Sequence, residues 1–286
     1  MISTPRTTIA ITVRNGARTI GKVLSQLLPQ TEAGTHEIVV SVGESTDGTW
    51  EVVTSAAAAT DRLVAVRAER SGIPAGRNAA IAASRGALIL TCDADDEVSE
   101  DWVAQMEAAL ELHDVVAGRV EVVPGGVSHA VEGSPIAGTA LRTYPYDYLR
   151  FGLTANLAFR RTAYKAIGGF DERMVYGDDV DFCWTAQERG LSIGESSGAV
   201  RKYGRPEASQ RFRQHYRFGR TDVDLYVKHR SAGMKRQGIR ALKAWGWIAV
   251  NMRSAVVPNR RSLWSGATGQ RVGRLAGSLS RRVVYP

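Results

Sequence analysis

The N-terminal part of the chain alternates between two textures. Thr8-Ile-Ala-Ile-Thr-Val13, His36-Glu-Ile-Val-Val-Ser-Val42, Leu63-Val-Ala-Val66 and Ala87-Leu-Ile-Leu90 are short, nearly continuous apolar runs of strand length. Helical spacing separates them: Thr19 to Leu28, stopped by Pro29, then a segment through Trp50, Val53 and the alanines 56 to 59, then Ala75 to Ser84. A further helix is expected up to Leu112, followed by a strand over Val115 to Val123. The polar turns Asn15-Gly16 and Gly43-Glu-Ser-Thr-Asp-Gly48 punctuate the series. Buried strands alternating with helices predict an α/β fold with a doubly wound, mostly parallel sheet and helices on both faces. The texture is then lost over Pro124 to Tyr148, which reads as a long loop, equally consistent with a lid facing a substrate and with plain disorder.

Composition narrows the class. A chain of 286 residues with 44% apolar content can bury a real core. Cys92 and Cys183 form no disulfide framework and no metal-ligand spacing, which fits a reducing, cytoplasmic compartment. The first residues hold no signal-peptide stretch, and no apolar run reaches the roughly 18 residues a membrane span needs. Charge is divided along the chain. Residues 1–197 hold 17 Lys and Arg against 26 Asp and Glu, whereas residues 198–286 hold 20 against 3. Such a basic C-terminal part calls for an anionic partner, be it phosphorylated substrate, phospholipid surface or nucleic acid, or else is a solvated face.

Two acidic constellations carry the candidate chemistry. In Thr91-Cys-Asp-Ala-Asp-Asp96 three carboxylates follow an apolar strand, at the edge where open α/β sheets bind ligands. Oxygen donors at this density suit Mg²⁺ or Mn²⁺; an acidic turn capping the helix near Asp101 is the alternative. In Val175-Tyr-Gly-Asp-Asp-Val-Asp181 three more carboxylates open a helix. Capping accounts for one or two of them. Asp179 shares its side with Phe182 and Ala186, so partial burial among anions should raise its pKa and suit it to general-base work.

Taken in order, Val13-Arg-Asn-Gly16, Ser45-Thr-Asp-Gly-Thr49, Gly76-Arg-Asn-Ala79, Cys92-Asp-Ala-Asp-Asp96, Asn156-Leu-Ala-Phe-Arg160, Gly168-Gly-Phe-Asp-Glu172 and Gly177-Asp-Asp-Val-Asp181 resemble the motifs of glycosyltransferase family 2. The likeness runs from about Thr8 to Lys228. It implies a GT-A fold over residues 1–228, with 229–286 as a basic helical appendage. It also implies an inverting, metal-dependent transfer of sugar from a nucleoside diphosphate sugar to an acceptor hydroxyl, in polysaccharide or glycolipid synthesis. By the same likeness Asp93 and Asp95 are metal ligands, and Asp93, Val13, Asn15, Asp47, Arg77 and Asn156 contact donor or substrate. Asp179, with Asp178 before it, is the catalytic pair. Arg213 or Arg217, on a segment similar to a Gln-x-x-Arg-Trp element, would meet the donor pyrophosphate.

Two positions depart from the family pattern. Val42-Gly-Glu44 stands where an acid commonly reads the nucleobase, so Asp47, Glu44 or backbone groups would replace it, and Arg14 stands where an aromatic residue is common. After Lys228, Ala244-Trp-Gly-Trp-Ile-Ala-Val250, Val256-Val257 and Leu263-Trp264 lie among arginines, which suits either an interfacial helix on an anionic membrane, with a glycan or lipid-linked acceptor, or an appendage packed through its tryptophans. Nucleic-acid binding is disfavoured by the acidic first part and the lack of a recognised module. A nucleotidyltransferase would want a basic Gly-rich phosphate loop near the first strand, and none is seen.

Overall fold

Each of the four apolar runs becomes a strand of one sheet. In the computed structural model, which describes residues 4–123, 140–143, 145–174, 176–203 and 208–286, these are β1 (Thr7–Val13), β2 (His36–Val42), β3 (Leu63–Arg67) and β4 (Leu88–Asp93). They pair in parallel in the order β3-β2-β1-β4. Every residue of β2 is buried, as expected for a strand covered on both faces. The expected helices are α1 (Ile20–Leu27), α2 (Thr49–Ala58), α3 (Ile73–Ala82) and α4 (Trp102–Leu110). Helix α3 starts two residues earlier than its pattern suggests, because Pro74 sits in the first turn, where a missing N–H leaves nothing unpaired.

Apart from β6, which the sequence places at its observed bounds, the second half of the sheet was less legible. It comprises β5 (Glu97–Val98), β6 (Val115–Val123), β7 (Asn156–Arg160) and β8 (Ile193–Tyr203), completing the order β3-β2-β1-β4-β7-β6-β8-β5 among the described residues. Strand β7 runs antiparallel to both neighbours, β4 and β6, in an otherwise mostly parallel sheet. Helices α5 (Arg161–Ile167) and α6 (Asp178–Glu188) follow β7. Of the loop expected over 124–148, residues 124–139 and 144 lie outside the described ones; at its far end Arg142 and Phe151 exchange backbone hydrogen bonds of 2.9 and 2.8 Å.

The chain forms two compact units. One holds the sheet and α1 to α6. The other gathers 145–148, 174–177 and the chain from α7 (Ala208–His229) onward, with α8 (Gly238–Val250) and α9 (Pro258–Arg281). The boundary expected after residue 228 falls at the end of α7, whereas the units divide just before that helix. The reason is its packing on α9. A Cβ at Gly269 or Gly273 would collide with the carbonyl of Phe212 or Tyr216, and one at Gly219 with that of Gln270, so the two helices touch backbone to backbone. No helix among the described residues is long and apolar enough to cross a membrane.

Candidate active site

The parallel register of β1 and β4 sets Thr12 opposite Asp93, so the acidic run leaves the sheet at its carboxyl edge. Ligand oxygens of Asp93, Asp95 and Asp96 all lie within 4.8 Å of one another. Asp96 is buried, and burial, with repulsion from Asp93 and Asp95, pushes its carboxyl up to about 7 against the opposing pull of Lys202. Lys202, near the end of β8, donates from Nζ to Asp93 Oδ2 at 2.7 Å and to Asp96 Oδ2 at 2.9 Å. Burial works against that ammonium, yet the two carboxylates hold its pKa above the usual lysine range.

Arg77 reaches the cluster because α3 lies close against β1. A Cβ at position 76 would collide with the Thr12 hydroxyl, so Gly76 permits the approach and the next residue projects into the site. The buried guanidinium of Arg77 donates from Nη1 to Asp178 Oδ2, and its Nη2 lies 3.5 Å from Asp93 Oδ1. Burial disfavours its charge, but Asp178, Asp93 and Asp179 more than compensate. The neighbouring Asn78 ties in the Gly-Gly turn. Its Nδ2 donates to the Phe170 carbonyl and to Glu172 Oε1, both at 2.9 Å, and its Oδ1 accepts from Tyr164 Oη at 2.8 Å and Phe170 N at 3.0 Å. The left-handed φ values of Gly168 (92°) and Gly169 (79°) explain the glycine pair.

Asp178 and Asp179 begin α6, whose Phe182, Cys183, Trp184 and Ala186 are buried. Asp179 is half-buried and accepts from the Val180 amide at 2.9 Å. Burial, then repulsion from Asp178, raises its carboxyl to about 6, with Arg77 pulling the other way. Arg142 is buried in the same unit and feels the Asp179 charge, although burial leaves its own pKa lowered. Five of the residues anticipated from the sequence, Arg77, Asp93, Asp95, Asp178 and Asp179, thus stand in one electrostatic group.

Other anticipated residues are engaged by their neighbours. Asn156 is fully buried and its carboxamide is fully engaged: Oδ1 accepts from Trp102 Nε1 at 2.8 Å, and Nδ2 donates to the carbonyls of Arg119 and Gly198 at 2.8 and 2.9 Å. It is a strut joining β6, β7, β8 and α4. Val13 turns its side chain into the core, and its carbonyl accepts from Gly43 N at 2.8 Å. Asn15, at φ 51°, donates from its amide to Ser45 Oγ at 3.0 Å and accepts from Thr46 N at 2.9 Å. Asp47 accepts from the Thr49 hydroxyl, from Ala17 N at 3.0 Å and from Thr49 N at 3.2 Å, bonds that hold its pKa below the usual range. Asn15 and Asp47 therefore clamp two loops together at the sheet edge. Arg14 Nε donates to the Glu44 carbonyl at 3.1 Å in that clamp. Arg217 belongs to the helical unit, where it donates to Tyr176 Oη at 3.1 Å.

The description "Glycosyl transferase family 2" matches residues 8–168, more than half of the chain. The chain belongs to glycosyltransferase family 2. The match spans β1 to α5 and contains Arg77 and the three carboxylates Asp93, Asp95 and Asp96. This family member is 24% identical over 246 residues to glycosyltransferase AglE of Haloferax volcanii, covering 84% of this chain and 80% of that protein. It is 27% identical over 199 residues to a pre-mycofactocin glycosyltransferase of Mycobacterium tuberculosis, covering 65% of this chain and 40% of the other. Among solved structures, mannosyltransferase PcManGT from Pyrobaculum calidifontis, in complex with GDP-Man and Mn²⁺, aligns with a TM-score of 0.62 at 16% identity over 97% of this chain and 88% of its own. S. aureus TarS 1–349 with UDP-GlcNAc aligns at 0.55 and 17% identity over 98% and 93%. These neighbours bear out the GT-A architecture, and the enzyme is a glycosyltransferase.

Lys202 and Arg142 were missed by sequence reasoning. Lys202 lies 109 residues from Asp93 and meets it only through the sheet, on a strand whose Gly-Glu-Ser-Ser-Gly stretch shows no apolar alternation. A lysine beside a partly apolar run, Ala199-Val200, was the signal on offer.

Proposed function

We propose that this enzyme transfers a sugar from a nucleoside diphosphate to an acceptor hydroxyl with inversion at the anomeric carbon, in the assembly of a cell-envelope polysaccharide or glycolipid. The observation that carries the reading is Arg77, whose guanidinium touches Asp178 and approaches Asp93, so that two acidic motifs distant in sequence act as parts of one site. Asp179 takes the proton of the acceptor hydroxyl: its near-neutral pKa keeps it ionised at pH 7 while making it a better base than an ordinary aspartate. Asp178 is engaged by Arg77, which leaves Asp179 to that task. A single displacement needs no covalent enzyme intermediate.

The donor set after β4 fits a hard divalent cation, since it is all oxygen and tightly grouped, and an ammonium already sits against two of its members. Asp95 and Asp93 would hold Mg²⁺ or Mn²⁺, and the bound ion would offset charge gathering on the departing diphosphate. The donor-bound states of PcManGT, with GDP-Man and Mn²⁺, and of TarS, with UDP-GlcNAc, support this choice of donor class. Calorimetric titration with uridine, guanosine and thymidine diphosphates, with and without Mn²⁺, tests it. One nucleotide should bind in a metal-dependent way, and Asp95→Ala should abolish that dependence. Absence of binding by all three, or unaltered metal-dependent binding in Asp95→Ala, would overturn the assignment.

A further inference from the structure

Helix α8 is apolar on the side that should be polar. Ala241 and Ile248 are buried, and the Ile248 carbonyl accepts a hydrogen bond from Trp264 Nε1 at 3.0 Å, so one side of the helix is held against α9. An ordinary surface helix then shows charged residues on its other side. Here that arc carries Ile239 (74% exposed), Leu242 (75%), Trp247 (43%) and Val250 (85%). Residues 239, 242, 246 and 250 follow one another at three- and four-residue steps, so Ile239, Leu242 and Val250 line a single stripe with Gly246, and Trp247 stands at its margin. The short turn after α8 continues it with Met252 and Val256, both exposed. The tryptophans divide accordingly. Trp264 is tied inward, as an appendage packed through its tryptophans requires, and Trp247 is not.

The charge around the stripe identifies what covers it. From Leu225 to Pro286 the chain has thirteen Lys or Arg and no Asp or Glu. Lys243 lies beside the stripe on α8 itself, and Arg253, Arg260 and Arg261 are exposed just beyond it. A second copy of this chain would bring two such positive faces together, and the acid beside α8, Asp147, is already paired with Arg240. A nucleic acid would need cations at the centre of the contact, and the centre here is aliphatic. We propose that α8 and the turn that follows it dock on an anionic phospholipid bilayer, with the Ile239–Val250 stripe entering the acyl boundary and the flanking cations meeting the headgroups. This surface lies in the helical unit and is independent of the catalytic assignment, so the test reads partitioning rather than turnover.

The full chain is floated with vesicles of phosphatidylcholine alone and of equimolar phosphatidylcholine and phosphatidylglycerol. Wild type should float with the anionic vesicles at low salt, stay behind with the neutral ones, and lose partitioning as salt is added. Leu242→Glu with Val250→Glu should lower partitioning on the order of 10²-fold, since two exposed apolar groups become anions at the boundary. Reversal of Arg253, Arg260 or Arg261 should lower it about fivefold each. All of these side chains are exposed, so unchanged thermal unfolding and nucleotide binding would show that the variants remain folded. Failure of wild type to float with anionic vesicles would overturn the proposal. So would equal partitioning by the Leu242→Glu/Val250→Glu variant, or a wild-type dimer that this variant dissociates with no vesicle binding in either protein.

Discussion

Each unit of this enzyme buries an arginine beside carboxylate, and the two burials are built differently. In the helical unit Arg274 and Asp222 are 1% and 2% exposed and form a balanced pair, with Nε donating to Oδ2 at 2.7 Å. The remaining capacity of Asp222 is filled by Tyr146 Oη at 2.9 Å and Gln270 Nε2 at 3.0 Å, and Arg274 also donates to Gln237 Oε1 at 3.3 Å. Around Arg77 the charges do not balance. Among the described residues Asp93, Asp178 and Asp179 share one guanidinium, Asp96 and Asp95 stand nearby, Lys202 bonds two of these acids and Arg142 feels the charge of Asp179. The excess appears as carboxyl groups raised toward neutrality at Asp179 and Asp96. A balanced, saturated pair stabilises a fold, whereas an over-acidic cluster stores charge that a cationic or proton-bearing substrate can relieve.

The sharpest way to break this contrast is Asp179→Asn. The amide keeps the acceptor oxygen for the Val180 N–H but cannot take a proton, so kcat should fall about 10² to 10⁴-fold while nucleotide affinity is retained. Wild-type turnover should climb as pH rises through about 6, where Asp179 ionises against Asp178 with Arg77 and Arg142 opposing, and level off above. Stability has the opposite sign. The folded pKa lies above the unfolded one, so the contribution of the neutral acid is present below about pH 4 and is lost as pH rises through about 6. Asp179→Asn should therefore match wild type in acid and be the more stable protein at pH 8, measured by denaturant unfolding. A variant with full turnover would remove Asp179 from the mechanism.

The balanced pair predicts the reverse outcome. Arg274→Met strands a buried carboxylate and should lower unfolding free energy by about 3–5 kcal/mol, with turnover per folded molecule unchanged. Replacing both partners, Asp222→Leu with Arg274→Met, should recover part of that loss, because no unpaired charge is left behind. If the single variant unfolds at the wild-type denaturant concentration, the pair is not the support described here.

The difference between the two clusters also sets what could be read from the sequence. Strands β1 to β4 were legible because a strand covered on both faces must be apolar throughout, and the run Leu88-Ile-Leu90 leading into Asp93, Asp95 and Asp96 advertises itself locally. Asp178 and Asp179 were legible for the same reason, since three acids open one helix. Strand β7 was not, being five residues long and antiparallel within a mostly parallel sheet. The position of Asn156 is part of a recognisable pattern, but its partners, Trp102 and two carbonyls, lie 37 to 54 residues away and leave no local mark. The Asp222–Arg274 pair spans 52 residues between α7 and α9, and nothing local at either end marks it as buried.

Lys202 offers the finest test of charge balance, and the smallest expected effect. Its ammonium bonds Asp93 and Asp96, two of the three grouped acids at the end of β4, and so takes up part of the negative charge that would attract a divalent ion. Lys202→Met keeps the length of the side chain and removes that charge. At the few ångströms involved, one unit charge in a partly buried setting is worth enough to tighten Mn²⁺ binding on the order of tenfold, read by calorimetry without nucleotide. A purely packing role would lower the unfolding midpoint and leave Mn²⁺ affinity where it was. Weaker Mn²⁺ binding in the variant would mean that Lys202 holds Asp93 in its ligating position more than it competes with the ion, and the imbalance around Arg77 would then be set by the geometry of β8 rather than by a count of charges.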